Sequence, residues 1–164
     1  MAPSPASGII GAIEQSPLAA AMRGDLWLYP IVEIFHISGL AVLVGSVVMF
    51  DLRLLGVARS LSVRALARYL LPWSLAALVV IVPSGLMMFS AHAGEFVDNP
   101  AFVLKMTLLL LAATNAAAFH AGVFQSAGNW DREAPAPLGA KLHALASVAL
   151  WFGIIACGRL LAYL

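Results

Sequence analysis

Four long stretches without Asp, Glu, Lys or Arg run along the chain, over residues 34–50, 69–94, 106–128 and 142–158. Each is near the ~20 residues that carry a helix across a hydrocarbon core. Allowing for fraying and for charged side chains that snorkel at the edges, the pattern predicts four transmembrane helices at about 28–50, 69–91, 101–124 and 142–163. Helices are required, because lipid cannot satisfy the open edge of a sheet. The fold class is therefore all-α, a polytopic four-helix transmembrane bundle over residues 28–164.

Residues 1–27 precede the first span and carry no basic cluster ahead of an apolar core, so they read as a retained segment and not as a cleaved signal peptide. Ser7 ahead of Ile9, Ile10 and Ile13, then Ser16-Pro17 with Gly24 behind it, predict two short capped helices lying at the membrane interface. A structureless tail is the alternative for the first seven residues. Between the spans, Ser60 or Ser62 is positioned to start a short helix in the first loop, while Pro135 and Pro137 keep the loop at 125–141 irregular.

Composition agrees with a membrane protein: 62% of residues are hydrophobic and 10% charged, with a mean hydropathy of +0.95. Nine Lys/Arg against eight Asp/Glu leave a net charge of +1, too little basic charge to neutralise a phosphate backbone, so nucleic acid is excluded as a partner. Cys157 is the sole cysteine, which excludes an intrachain disulfide and the paired-cysteine attachment of c-type haem. The distribution of basic residues sets an orientation. Arg53, Arg59, Arg64, Arg68, Arg132 and Lys141 lie on one side, against Arg23, Lys105 and Arg159 on the other, which predicts loops 51–68 and 125–141 in the cytoplasm and both termini outside. The expected location is the bacterial cytoplasmic (inner) membrane, with the lipid bilayer as the first partner.

Ionisable residues inside a span are the candidate chemistry. His36 lies roughly 12 Å within helix one at 1.5 Å per residue, on a face shared with Glu33, Leu40, Leu43 and Val47. It needs either a ligand or a hydrogen-bonding neighbour on another helix. Pro83-Ser84-Gly85 in helix two allows a kink at the same depth, which predicts space beside that histidine. Met87, Met88 and His92 follow toward the outer surface; thioether with imidazole suits Cu(I), and an apolar core beside a hydrated histidine is the plainer reading. Helix three aligns Lys105, Ala112, Ala116 and His120, with Asn115 at the edge of the stripe, and helix four opens on Lys141-Leu142-His143. By depth the histidines sort into His36 with His92 and His120 with His143, the two levels that a bis-histidine two-haem cytochrome needs. On straight helices, however, His92 is ~12 Å shallower than His36. One haem with a single well-placed histidine therefore stands beside two. Asp51 and Arg53 read as anchors at the inner end of helix one, and Arg159 as a snorkelling cation or a partner for Glu33. Hydrolytic motifs are absent from the sequence.

The runs from Ile34 to Gly45, from Asp51 to Gly56 and from Asn99 to Lys105, with Gly158-Arg159-Leu160, resemble an uncharacterised bacterial family of four-helix membrane proteins, over nearly the whole chain. More distantly, a histidine early in helix one, a glycine late in helix two and a lysine opening helix three are similar to the membrane domain of copper-resistance protein D and to the J-type protoporphyrinogen oxidase. The resemblance implies a role for His36, Gly85, Lys105 and Asn115, and for His120; His92 and His143 match none of its motifs. It implies haem or copper as the cofactor.

Three expectations follow. The first is a haem b protein for electron transfer or a porphyrin-linked redox step, with His36 as principal ligand, His120, His143 and His92 as further candidates, Lys105 and Asn115 as supporting residues, and a redox partner. The second is copper handling through Met87, Met88, His92 and His36. The third is a cofactor-free membrane subunit that escorts a partner protein at the outer face.

Overall fold

The computed structural model describes residues 5–161 and 163, and the side chains from residue 8 onward. Among the described residues seven α-helices follow one another: α1 (Pro5–Glu14), α2 (Pro17–Gly24), α3 (Leu28–Leu55), α4 (Val63–Ala91), α5 (Ala93–Asp98), α6 (Pro100–Ala121) and α7 (Leu138–Leu160). A 3-10 segment, Val123–Trp130, joins α6 to α7. No strand occurs among the described residues. The helices α3, α4, α6 and α7 are long and apolar enough to cross a membrane. The chain is an all-α, multi-pass membrane protein. Residues 1–4 of the segment expected to be a tail, and the Ser7 side chain expected to cap the first helix, lie outside what is described.

The expected start at Leu28 and end at Ala91 are met, and the other span boundaries shift, several for a visible local reason. Helix α3 continues to Leu55, five residues past the expected end at Phe50, and stops where Gly56 adopts φ +110°, with Gly56 N–H on the Arg53 carbonyl and Val57 N–H on that of Leu52. This 5→2 and 6→1 pair is the Schellman stop, and its left-handed residue is a glycine because a Cβ is penalised there. Ser62 starts no separate loop helix; its hydroxyl accepts the Ala65 N–H and opens α4 itself, which runs unbroken through Pro72 and Pro83. Asn99 Oδ1 accepts the Ala101 N–H ahead of Pro100 and opens α6. The fourth span starts at Leu138, behind Pro137, rather than at Leu142.

The four spans form two antiparallel pairs, α3 with α4 and α6 with α7, joined along an α3–α7 seam. Among the described residues no Cα of α4 comes within 8 Å of one in α6, so a gap separates their backbones. At the end that carries the chain termini, side chains close it: Phe89, Phe96 and Phe102, from α4, α5 and α6, stack with centroids 5.5–6.2 Å apart. The same end is strapped by the N-terminal helices. Arg23 donates to the carbonyls of Ala91 and Glu14, and the Glu14 carboxylate accepts the Gly94 N–H at 2.8 Å. The Ser16-Pro17 cap forms as expected, with Ser16 Oγ accepting the Ala19 N–H.

The opposite end holds the main apolar core, where Leu54, Val63, Phe119, Trp130 and Ala140 pack under the two loops. Arg53 ties this end together. Only 2% exposed, it sends Nε to the Leu61 carbonyl at 2.7 Å and Nη2 to those of Arg59 and Asp131 at 3.0 and 3.1 Å. The Asp131 carboxylate in turn accepts from the Ser62 hydroxyl and the Arg64 N–H. That Arg64 N–H, against the opposing effect of burial and aided by Ser62 and by the charges of Arg132 and Arg64, holds the Asp131 carboxyl below the usual carboxylate range. Its stabilisation is therefore complete above the unfolded value of ~3.9 and is lost as pH falls through the lower folded value. The gap in unfolding midpoint between wild type and Asp131→Asn is expected to be constant from neutral pH to about 5 and to shrink below about 4. A gap that widens on acidification would contradict this assignment.

Candidate functional site

His36 is held between α3 and α4 by the Pro83-Ser84-Gly85 segment. Its Nδ1 lies 3.1 Å from the Ile81 carbonyl oxygen and 2.9 Å from Ser84 Oγ. A carbonyl only accepts, so Nδ1 carries the proton, and the Ser84 hydroxyl is free to point its own proton at the carbonyls of Val80 and Ile81. Nε2 is then the nitrogen with the lone pair. Gly85 permits this approach: a Cβ there would sit 3.1 Å from His36 Cε1. The space expected from the proline segment is thus filled by the imidazole itself. Gly39, one turn along α3, meets α4 as closely, with Ile81 Cγ1 2.8 Å from where its Cβ would lie.

Lys105 does not stand alone at its helix end. Its Nζ lies over Gly158 of α7, 3.8 Å from the position of a Cβ there, and within electrostatic reach of both His36 and Cys157. Arg159, expected to snorkel or to meet Glu33, is exposed, stacks on Tyr163 with its guanidinium 4.7 Å from the ring centroid and donates to the phenol oxygen.

His36 and His92 belong to different surroundings. His92 caps α4 two turns beyond Gly85, about 10 Å along the axis, and its Nδ1 faces Glu95 Oε1 at 3.6 Å with the side chain 45% exposed. Met87 and Met88 pack against the small apolar cluster of Met22, Val32 and Ala91. Among the described residues no three His, Cys, Asp or Glu side chains are grouped to hold a metal ion.

The other two histidines do converge. His120 and His143 line one cavity of about 330 Å³ between all four spans, in the half of the bundle away from the termini. Asn115 orients His143: its Nδ2 donates to the His143 carbonyl at 3.0 Å, which leaves Oδ1 to face His143 Nδ1 at 2.8 Å. That contact requires a proton on Nδ1 and leaves Nε2 as an acceptor. His120 rests edge-on against Phe119 and Phe124. The volume is at the small end of the ~300–1,000 Å³ found for small-molecule sites. It suits a compact ligand.

Asp51 is the residue that sequence reasoning misplaced. It is 5% exposed, lines this cavity beside Ser147, and its Oδ2 has no hydrogen-bond partner among the described residues. The signal was available: Leu43, Val47 and Asp51 recur every four residues, so the inward stripe of α3 ends on a carboxylate. Arg53, two residues on, points instead into the loops and is no interfacial anchor.

The model of a protein family described as "Family of unknown function (DUF6644)" matches residues 27–164. No curated protein and no solved structure matches the chain. The likeness to copper-resistance protein D and to the J-type protoporphyrinogen oxidase therefore rests on short motifs alone.

Proposed function

The chain belongs to the family of unknown function DUF6644, and we propose that it is a haem b-binding membrane protein with His36 as the iron ligand. The observation that carries the reading is the preset tautomer of His36. A ligating imidazole characteristically donates its other ring N–H to a carbonyl or similar acceptor, and His36 Nδ1 is committed to Ile81 O and Ser84 Oγ. The remaining residues fit the group in kind: Gly85 removes a side chain from beside the ring, and Lys105 supplies a cation near His36 for a propionate. A haem held there contributes one-electron redox chemistry, whose potential the axial ligand and the burial of the site set. The chain's own part is to fix the imidazole and exclude water. The excess of basic residues on the loop connections supports an inner-membrane placement with the His36 end outward, where a redox partner would dock.

The test is a reduced-minus-oxidised visible spectrum with iron analysis on detergent-purified protein from haem-replete cells. Wild type is expected to show a Soret band and a sharp α-band with about one iron per chain, and His36→Ala to lose both. His143→Ala and His120→Ala, at residues that line the cavity in the other half of the bundle, are expected to keep them. A wild-type protein without a Soret band, or a His36→Ala spectrum identical to wild type, ends the haem reading.

A further inference from the structure

The cavity around Asp51 is left unused by the His36 reading and is chemically unlike a metal centre. Its wall is mostly aliphatic, with Leu71 and Leu75 from α4 facing Leu109 and Ala116 from α6. Asp51, Ser147 and His143 are among the residues that line it, bringing a carboxylate, a hydroxyl and an imidazole whose Nε2 carries the lone pair. Among the described residues no lysine or arginine lines it, and the nearest guanidinium in sequence, Arg53, commits Nε and Nη2 to loop carbonyls and leaves a buried Nη1 without a partner. A buried carboxylate oxygen without a partner is costly, and in a membrane such groups persist where a mobile partner completes them. An inorganic divalent cation would want six or more oxygen ligands or a cluster of His and carboxylates, and no such group is present among the described residues. A primary ammonium has three donors and one positive charge, which match a carboxylate, a hydroxyl and an imidazole lone pair.

Access has a route as well. The α4 and α6 backbones stay more than 8 Å apart, and Leu75 of α4 and Ala116 of α6 both line the cavity and are exposed, so the cavity reaches the lipid-facing surface between these two helices. A ligand arriving this way partitions into the bilayer first, so its body is apolar. We propose that this cavity binds a compact lipophilic primary amine in its ammonium form, the head group on Asp51, Ser147 and His143 and the hydrocarbon body between α4 and α6. The site is independent of haem, because His36 does not line it.

Equilibrium dialysis of the full-length protein in detergent micelles tests this with 1-naphthylmethylamine, against its neutral counterpart 1-naphthylmethanol and against protein-free micelles. Saturable binding of one amine per chain is expected, with the alcohol at least tenfold weaker. Asp51→Asn, which keeps the shape and removes the charge, is expected to weaken the amine at least tenfold and leave the alcohol unchanged. Amine uptake equal to that of empty micelles overturns the proposal, and so does equal amine affinity in wild type and Asp51→Asn. If Asp51→Asn does not fold, Ala116→Phe, placed at the exposed mouth, is read in its place: lost amine binding supports the site and unchanged binding refutes it. Because the readout is dialysis and not absorbance of a cofactor, a failed haem reading and a failed amine site are told apart.

Discussion

Arg53→Met is expected to lower stability by roughly 2–4 kcal/mol, a loss dominated by hydrogen bonds to a charged group that methionine cannot make. Three carbonyls depend on this guanidinium. Two of them keep a backbone partner when it is gone, since Asp131 O also accepts the Val63 N–H and Arg59 O the Glu133 N–H, each at 3.0 Å. The Leu61 carbonyl loses a 2.7 Å bond in a turn that is largely built on it. Methionine fills most of the vacated volume, so the result reports hydrogen bonding and not a cavity. Arg53→Lys is expected to recover only part of the loss, because an ammonium on a flexible stem cannot span two directions as the guanidinium fork does. Thermal unfolding in detergent should show a midpoint lower by about 5–10 °C for Arg53→Met, together with faster proteolysis in the 56–62 loop. A midpoint within a degree of wild type would mean that the loop end is held by its apolar cluster alone.

Arg53 also explains which parts of the fold could be read from the sequence. The four spans were legible because an uninterrupted apolar run of the right length has one solution in lipid. Their ends were not, wherever a charge signalled an interface that the fold does not place there. Reading Asp51 and Arg53 as surface anchors ended the first span at Phe50, whereas loop carbonyls neutralise the need for water at Arg53 and the helix continues to Leu55. That one extension carries Asp51 into the bundle, and with it the carboxylate that lines the cavity. The placing of His120 and His143 at one level was legible from the sequence, since both lie near the same end of the bundle, His120 next to the last residue of α6 and His143 in the second turn of α7. Pairing His36 with His92 was not supported in the same way, because depth along straight helices already set them far apart, and the structure gives each its own partner. Rotation about the helix axis, which turns His36 onto Ser84 and Lys105 onto Gly158, is a property of packing and has no signature in a single sequence.

Gly85 converts that packing into a measurable coupling. Gly85→Val is expected to destabilise by about 2–4 kcal/mol, combining overpacking with loss of the His36 Nδ1 bonds. The Cβ alone would approach His36 Cε1 at 3.1 Å and Nδ1 at 3.6 Å, and the two branches of valine add atoms where the ring lies. The imidazole cannot slide to make room, because Ile81 O and Ser84 Oγ hold it from the same helix; it must swing out and surrender both contacts. Gly85→Ala requires a shift of only a few tenths of an ångström, and the gain of up to about 1 kcal/mol in helix propensity offsets it, so alanine is expected to be near neutral. A double-mutant cycle separates this account from a general intolerance of bulk in α4. In a His36→Ala background the collision is gone, and the Gly85→Val penalty should fall to a small fraction of its wild-type value. If valine costs the same in both backgrounds, the glycine serves the approach of helix α3 backbone and not the imidazole, and the case for a preset ligand at His36 loses its structural support.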